Sequence, residues 1–463
     1  MTACLSPWTV GLAEAYRHSE YDPLRVTDLL HDEIVQRGES GYDVDAVVER
    51  ANATDSTDRP AVLAVVDAMV DLPRRSDWPF EEPDTLDGIR ASLSALPEAR
   101  PVLHHETWDL QDRIRAAWLG RIAGCNLGKP VEYGSHWTVE RIRDYLERAG
   151  AYPLTDYVPV LEPMPPEFRL HEDWPASTRG NLDGSARDDD IDYSILALHL
   201  LELHGRALQP EHVAQAWITL LPLQQVFTAE RAAYINLANG LVPPNVATYR
   251  NPYREWIGAQ IRGDVFGYVF PGDPWAAAAL AYQDASLSHV GNGIYGEMWA
   301  AALVSAAFTA RTAREAITAS LQVVPPRSRL SAAIRHVLQL HADGLSWEDS
   351  LTQIREAYGH YAWVHTLNNA AIVVAGLLWG DGDYLSAVSK TVMSGWDTDS
   401  NGATVGSVAG ILAGTAALPA HLIEPLHDRT RSALFGFDHS AISDLATRTH
   451  ALATSPIFAG PTC

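Results

Sequence analysis

The chain has 463 residues, 47% of them hydrophobic, which suits a globular protein and is too rich for disorder. Its formal charge of −24, from 58 acidic against 34 basic side chains, repels a phosphate backbone, and no basic run offsets it, which argues against nucleic-acid binding. The three cysteines, Cys4, Cys125 and Cys463, form neither a disulfide framework nor a zinc spacing and fit a reducing, cytoplasmic setting.

Residues 1–16 lack a basic start followed by an apolar core, so no signal peptide is expected. Up to about residue 100 the chain reads as an N-terminal helical section. Helices are predicted over 24–36 and 44–51, a short apolar helix over 60–70, and a charged, proline-bearing connection over 73–83. This section carries no chemical cluster. The main body starts near Trp108, which predicts an extension over 1–105 and a larger domain over 106–463. Residues 112–127 read as a helix with Ile114, Trp118 and Ile122 on one face. Gly120, Gly124 and Gly128 recur every four residues, leaving room for another backbone, and Pro130 ends the helix. Residues 150–184 are rich in proline and glycine without helical periodicity; a loop of that length within a domain is usually functional.

That loop runs into Asp188-Asp189-Asp190 and a helix with Ile191, Ile195, Leu198 and Leu201 along one side. Further helices are predicted over 211–221, 229–239, 275–288, 295–309, 313–321, 329–343, 347–358, 366–378 and 384–394. Residues 402–417 are the most apolar, with Gly402, Gly406, Gly410 and Gly414 forming a second side-chain-free row. The charge-free stretch 402–420 is rich in glycine and alanine and follows two acids, which marks a buried core helix rather than a membrane span. Almost nothing alternates with period two and no segment repeats at a fixed period, so the fold class is all-α and not a solenoid.

Four clusters could carry chemistry. Asp188, Asp189 and Asp190, with Asp192 behind them, sit where a helix dipole favours anions. A cap and first-turn acids would explain part of this run, but three adjacent carboxylates exceed what a cap needs. Oxygen ligands in a cluster favour magnesium, calcium or manganese over zinc. Asp397-Thr398-Asp399-Ser400-Asn401-Gly402 begins like a calcium-binding loop, but the twelfth position is Val408 instead of a glutamate, so that reading fails. What remains is two acids and a hydroxyl leading a buried helix, and such charges need neutralising partners. The third cluster, 124–132, is glycine-rich and ends in Glu132, which could equally be a surface acid. In the fourth, 286–297, His289 could be an ordinary core histidine, while Asn292 and Tyr295 make a ligand-facing turn plausible. There is no nucleophile elbow, Cys/His pair or phosphate loop.

Taken in order, these segments resemble the ADP-ribosylglycohydrolase family over roughly residues 110–430. Residues 114–132 resemble its first glycine-rich helix ending in an acid. Asp188-Asp189-Asp190-Ile191 resembles its Thr-Asp-Asp-Thr motif, Ser288-His289 its Thr-His turn, and Asp397-Thr398-Asp399-Ser400-Asn401-Gly402 its closing Asp-x-Asp motif. Asp188 and Ile191 depart from the two threonines of that motif.

The resemblance implies a compact orthogonal helical bundle with two magnesium ions, manganese or calcium being alternatives. Carried over by position, Asp188, Asp189, Asp190, Asp397, Asp399 and Ser400 would be metal ligands. Glu132 and Asp189 are the candidates for activating water, and His289, Asn292, Gly293, Tyr295 and Trp396 for contacting substrate. Trp174 is a further stacking candidate. The activity implied is metal-dependent hydrolysis of an N-glycosidic bond to ribose in an ADP-ribosyl or related conjugate, carried by a protein or a small molecule. Two alternatives remain open: a hydrolase of a small ribosylated heterocycle or nucleotide, and a silent ADP-ribose-binding protein. No membrane or nucleic-acid partner is expected.

Overall fold

The computed structural model describes residues 25–102 and 109–458. The readings of Cys4, Cys463, Trp108 and residues 1–16 fall outside them. Helices dominate, and the sheet among the described residues is one short antiparallel pairing of Arg429–Thr430 with Ser440–Ala441.

The centre is a pair of antiparallel helices, Leu110–Gly128 and Thr398–Ala413. Asp109 starts the first by accepting the Asp112 N–H at 2.9 Å. The two glycine rows face each other. A Cβ on Gly120 would lie 2.3 Å from the Gly406 carbonyl oxygen, one on Gly124 2.1 Å from that of Gly402, and one on Gly410 2.4 Å from that of Ala116. Each step of four along one helix meets a step of four back along the other, so the backbones touch in register. The helices Tyr384–Met393 and Ile442–Ala453 pack against this pair, and the Trp118 indole donates to Thr449 Oγ1 at 3.0 Å.

Two predicted boundaries shift. The last apolar helix starts at Thr398 and stops at Ala413, because Gly414 adopts φ +78° and ends the helix instead of extending the glycine row. Its early start places Asp399 and Ser400 in the first turn. The helix expected over 295–309 runs Gly291–Ala307. Helices at Leu86–Ser92, Val139–Arg148, Asp264–Val269 and Ile442–Ala453 were not expected. Val139–Arg148 escapes a hydrophobic reading because it buries only Ile142, Tyr145 and Leu146, and its start is set by the Thr138 hydroxyl. No described helix is long and apolar enough to cross a membrane.

In the N-terminal section the helices Val26–Glu39, Asp45–Ala53 and Arg59–Ala68 close over their own small apolar cluster of Leu29, Val47, Val65, Val66 and Met69. The section grips the body through charge. Arg254 pairs with Glu33 at 2.7 Å, Gln36 and Ser40 donate to Glu255 Oε2 at 2.7 and 2.8 Å, and Arg329 pairs with Glu82 at 2.9 Å. Beside them, burial and then the Glu255 charge push the Glu39 carboxyl up to about 8 from its ordinary 4.5. A carboxyl raised on folding contributes stability that is complete below its unfolded value and is lost as pH rises through the folded value. Docking of helix Val26–Glu39 should therefore weaken between pH 4.5 and 8. Hydrogen exchange, corrected for intrinsic base catalysis, should show its amides losing protection across that window, and Glu39→Gln should flatten the dependence.

Candidate active site

The central helix pair creates the site by bringing two chain ends together. Gly128 closes the first helix, and a Cβ there would lie 2.3 Å from the Thr398 carbonyl oxygen. Thr398 Oγ1 donates to the Gly128 carbonyl at 2.9 Å. Directly beyond Gly128 a single 3-10 turn, Lys129–Val131, carries the chain to Glu132, while Asp397 and Asp399 open the opposing helix. Asp397 is set by a strained turn: Gly395 and Trp396 adopt φ of +71° and +62°, the second unusual for a bulky side chain. The Asp397 N–H and the Asn401 amide both donate to Asn369 Oδ1, at 3.3 and 2.7 Å.

The third contribution is the helix Asp189–His204. Asp188 caps it through Oδ1, which accepts the Asp190 N–H at 2.9 Å. Arg121 pins this helix start to the central pair. Its guanidinium donates to the Asp190 carbonyl at 2.9 Å, to Ser194 Oγ at 2.8 Å and to Asp264 Oδ2 at 2.8 Å. Asp190 Oδ2 then accepts from Ser400 Oγ at 2.9 Å, joining the two acidic helix starts directly.

At the meeting point lies Lys129. Its buried ammonium is 2.6 Å from Glu132, 2.7 Å from Asp188 Oδ2 and 3.3 Å from Asp399 Oδ2. Two groups of side chains bring ligand atoms within 4.8 Å of one another: Glu132 with Asp397 and Asp399, and Cys125 with Asp188 and Asp399. Asp399 Oδ1 is buried without a hydrogen-bond partner. Crowding shows in the proton affinities. Burial and then Asp399 raise Asp397, burial and then Glu132 raise Asp399, and burial and then Asp188 raise both Asp190 and Asp189, the last to about 6. Glu132 also moves up, through burial and then Asp397, against the pull of Lys129. Asp188 alone moves down: burial opposes the shift, but Lys129 outweighs it. Asp189 is partly buried and makes no side-chain hydrogen bond to any described residue. Asp192 turns away to Arg187 and Ser432, at 2.7 and 2.6 Å.

The chain therefore brings Glu132, Asp188, Asp189, Asp190, Asp397, Asp399 and Ser400 together. None of the other candidates hydrogen-bonds to these side chains among the described residues. Asn292, Gly293 and Tyr295 lie within the first turns of helix Gly291–Ala307, not on a ligand-facing turn. Asn292 bonds Glu255 and Glu82, both at 2.8 Å, and Tyr295 donates to the Pro83 carbonyl at 2.7 Å, so the N-terminal section occupies their polar atoms. A Cβ on Gly293 would lie 2.5 Å from the Arg254 carbonyl oxygen. His289 is buried and held neutral by burial and the Arg262 charge, with Nδ1 2.8 Å from Ser288 Oγ. Trp396 is buried with the Arg355 guanidinium 4.6 Å over its ring.

Sequence reasoning passed over Lys129, Arg121, Asn369 and His171. His171 lies 3.7 Å from Glu132, and its N–H donates to the Pro130 carbonyl at 2.9 Å, which ties the 150–184 loop to the site. The same loop forms an open groove of about 520 Å³, lined by residues that include Leu161, Met164, Arg169, Leu170, Glu172 and Trp174.

A family profile described as ADP-ribosylglycohydrolase matches residues 106–455. Among solved structures, one described as an ADP-ribosylglycohydrolase-related protein complex matches at 19% identity, covering 74% of this chain and 98% of its own, with a TM-score of 0.42. No curated protein matches the chain.

Proposed function

We propose, from the premise that this chain belongs to the ADP-ribosylglycohydrolase family and is a glycosyl hydrolase, that it is metal-dependent and cleaves the N-glycosidic bond to ribose in an ADP-ribosyl or related ribosyl conjugate. One observation carries this reading: acids from three separate segments converge on one point, and a buried carboxylate oxygen of Asp399 is left over. Carboxyls raised by burial and by one another's charge are what a hard divalent cation would relieve, and the donors are oxygens, so the residues fit such an ion. Glu132, Asp397 and Asp399 would hold it. When bound, a divalent ion supplies polarisation of water and a grip on vicinal hydroxyls.

The chain's own groups do the rest. Asp189, which makes no side-chain hydrogen bond to any described residue, would take the proton from the attacking water, while Glu132 is held by the Lys129 ammonium at 2.6 Å. Arg121 and Asn369 fix the two helix starts, so the acids need not reorganise as an oxocarbenium-like state forms. The 150–184 loop, held beside Glu132 through His171, would meet the leaving group, with its Trp174 as a face for stacking.

A second reading makes the conjugate a small ribosylated heterocycle or nucleotide. A panel of ADP-ribosyl-protein, ADP-ribose adducts and ribosyl heterocycles, assayed for ribose-side product, separates the two. Chelation should stop the reaction, and Glu132→Gln should lower kcat by about 10²-fold with KM little changed. Undiminished turnover in chelator would sink the metal reading. Tight ADP-ribose binding without product from any panel member would leave a binding protein.

A further inference from the structure

We infer that Glu255 is a positioning residue for the Asp397 end of the site, and that the N-terminal section supports the reaction by docking on it. The inference rests on the reading above in which Asp397 serves the reaction, and extends it to side chains that lie before the matched residues 106–455.

The buried Glu255 carboxylate ties two parts of the chain together. Its Oε1 accepts from the Asn292 N–H at 3.0 Å, the Asn292 side-chain amide at 2.8 Å and Arg329 at 2.7 Å. Its Oε2 accepts from Arg329 at 2.8 Å and, out of the N-terminal section, from Gln36 at 2.7 Å and Ser40 at 2.8 Å. Glu82 of that section also braces both body partners, Arg329 at 2.9 Å and Asn292 at 2.8 Å. A buried carboxylate stripped of some of these donors must shift to find others, because leaving it unpaired away from water is costly.

The backbone of Glu255 reaches the site in two steps. Trp256 pairs antiparallel with His365: the Thr366 N–H donates to the Glu255 carbonyl at 3.2 Å, and the Ile257 N–H to the Val364 carbonyl at 2.8 Å. Carbonyls alternate sides along an extended chain, so those of Trp363 and His365 face away from this pairing. Both accept from the Asn369 side-chain amide, each at 2.8 Å. With its two protons committed there, the Asn369 carboxamide has one orientation left. Its oxygen accepts the Asp397 N–H at 3.3 Å and the Asn401 amide at 2.7 Å. The turn before Asp397 is strained at Trp396, with φ +62°, so it depends on being held from outside. A tilt of segment 363–366 would move the Asn369 oxygen and release that turn.

Variants of the full chain test it, with circular dichroism as a check on folding. Glu255→Gln, whose amide nitrogen cannot accept the donors that face it, should lower kcat by on the order of 10²-fold on whichever panel member the wild type cleaves, with KM little changed. Gln36→Leu combined with Ser40→Ala removes only the donors of the N-terminal section and should lower kcat about 10-fold. In both, deuterium uptake at residues 395–401 should rise. Asp67→Ala breaks the 2.8 Å pair with Arg250, which ties the section to the body at another point, and should leave kcat and that uptake unchanged. A folded double variant with wild-type kcat and wild-type uptake at 395–401 would overturn the inference. So would an equal loss from Asp67→Ala, which would mean that the section acts through stability alone. If Glu255→Gln fails to fold, the double variant still decides. If the wild type cleaves no panel member, the proposed function falls, while uptake at 395–401 still decides whether Glu255 positions Asp397.

Discussion

Asp397→Ala is expected to lower turnover by on the order of 10³-fold or more while the chain stays folded. The two halves of that result have one cause. Asp397 is buried at the start of the Thr398–Ala413 helix, and its carboxyl is raised by burial and by its neighbour Asp399. Folding therefore makes it bind a proton more tightly than it does in the unfolded chain. By linkage, the stability it contributes is complete below its unfolded value and falls away as pH rises through the raised one. Near neutral pH and without a divalent ion, the carboxylate is thus a liability to folding. The alanine variant escapes that liability, so its thermal midpoint in chelator should equal or exceed that of the wild type. In Mn2+ the order should reverse, because only the wild type gains the free energy of binding. Paired melts with and without chelator, beside a turnover assay, check both halves. A variant that melts early in chelator would mean that Asp397 supports the fold and not the chemistry.

Gly124→Val should yield no soluble, folded protein. At Gly124 the first added carbon would already stand 2.1 Å from the Gly402 carbonyl oxygen and 2.7 Å from its carbonyl carbon. These are backbone atoms of the opposing helix, and they cannot rotate aside. Ordinary overpacking costs about 1–3 kcal/mol because side chains and local backbone yield. Here both helices must part along their length, and a loss of about 4 kcal/mol or more falls in the range reserved for gross core disruption. That is a large share of the roughly 5–15 kcal/mol that holds a typical domain folded. Gly38→Val offers a control, since a Cβ there would meet only Val44 Cγ2, at an ordinary 3.7 Å, and the backbone is not left-handed. Soluble expression and a cooperative melt for both variants would show that the central pair can spread.

These two cases mark how far the sequence could be read. The glycine rows were legible because a four-residue spacing is a local pattern, and each row announces a close approach by itself. That the rows are each other's partners follows from the register of Gly120 with Gly406 and Gly124 with Gly402. The acids leading two helices were legible for a similar reason, since charge at the head of an apolar helix demands an explanation. Lys129 was not. One residue past a helix end, a lysine has the pattern of a surface residue, and only folding brings Asp188 and Asp399 to it. Asn292 and Tyr295 show a different limit. Polar groups beside an alanine-rich helix look free to meet a ligand, yet their partners Glu82 and Pro83 arrive from more than two hundred residues earlier in the chain. No local pattern signals such a docking. Arg121 stood in plain view between Trp118 and Ile122, where a charged residue among core positions is the clue.

The way residues 82–84 enter the body bears on any shortened form of this molecule. Glu82 meets Arg329 and Asn292, the Pro83 carbonyl takes the Tyr295 hydroxyl, and Asp84 Oδ1 accepts the Gly291 N–H at 2.7 Å. A truncated gene product beginning where the family match begins would uncover a layer of arginine, glutamate and amide groups that lies dry in the full chain. Water would have to flood that layer for its charges to be satisfied. The boundary drawn by kinship is therefore not a seam along which this polypeptide can be cut.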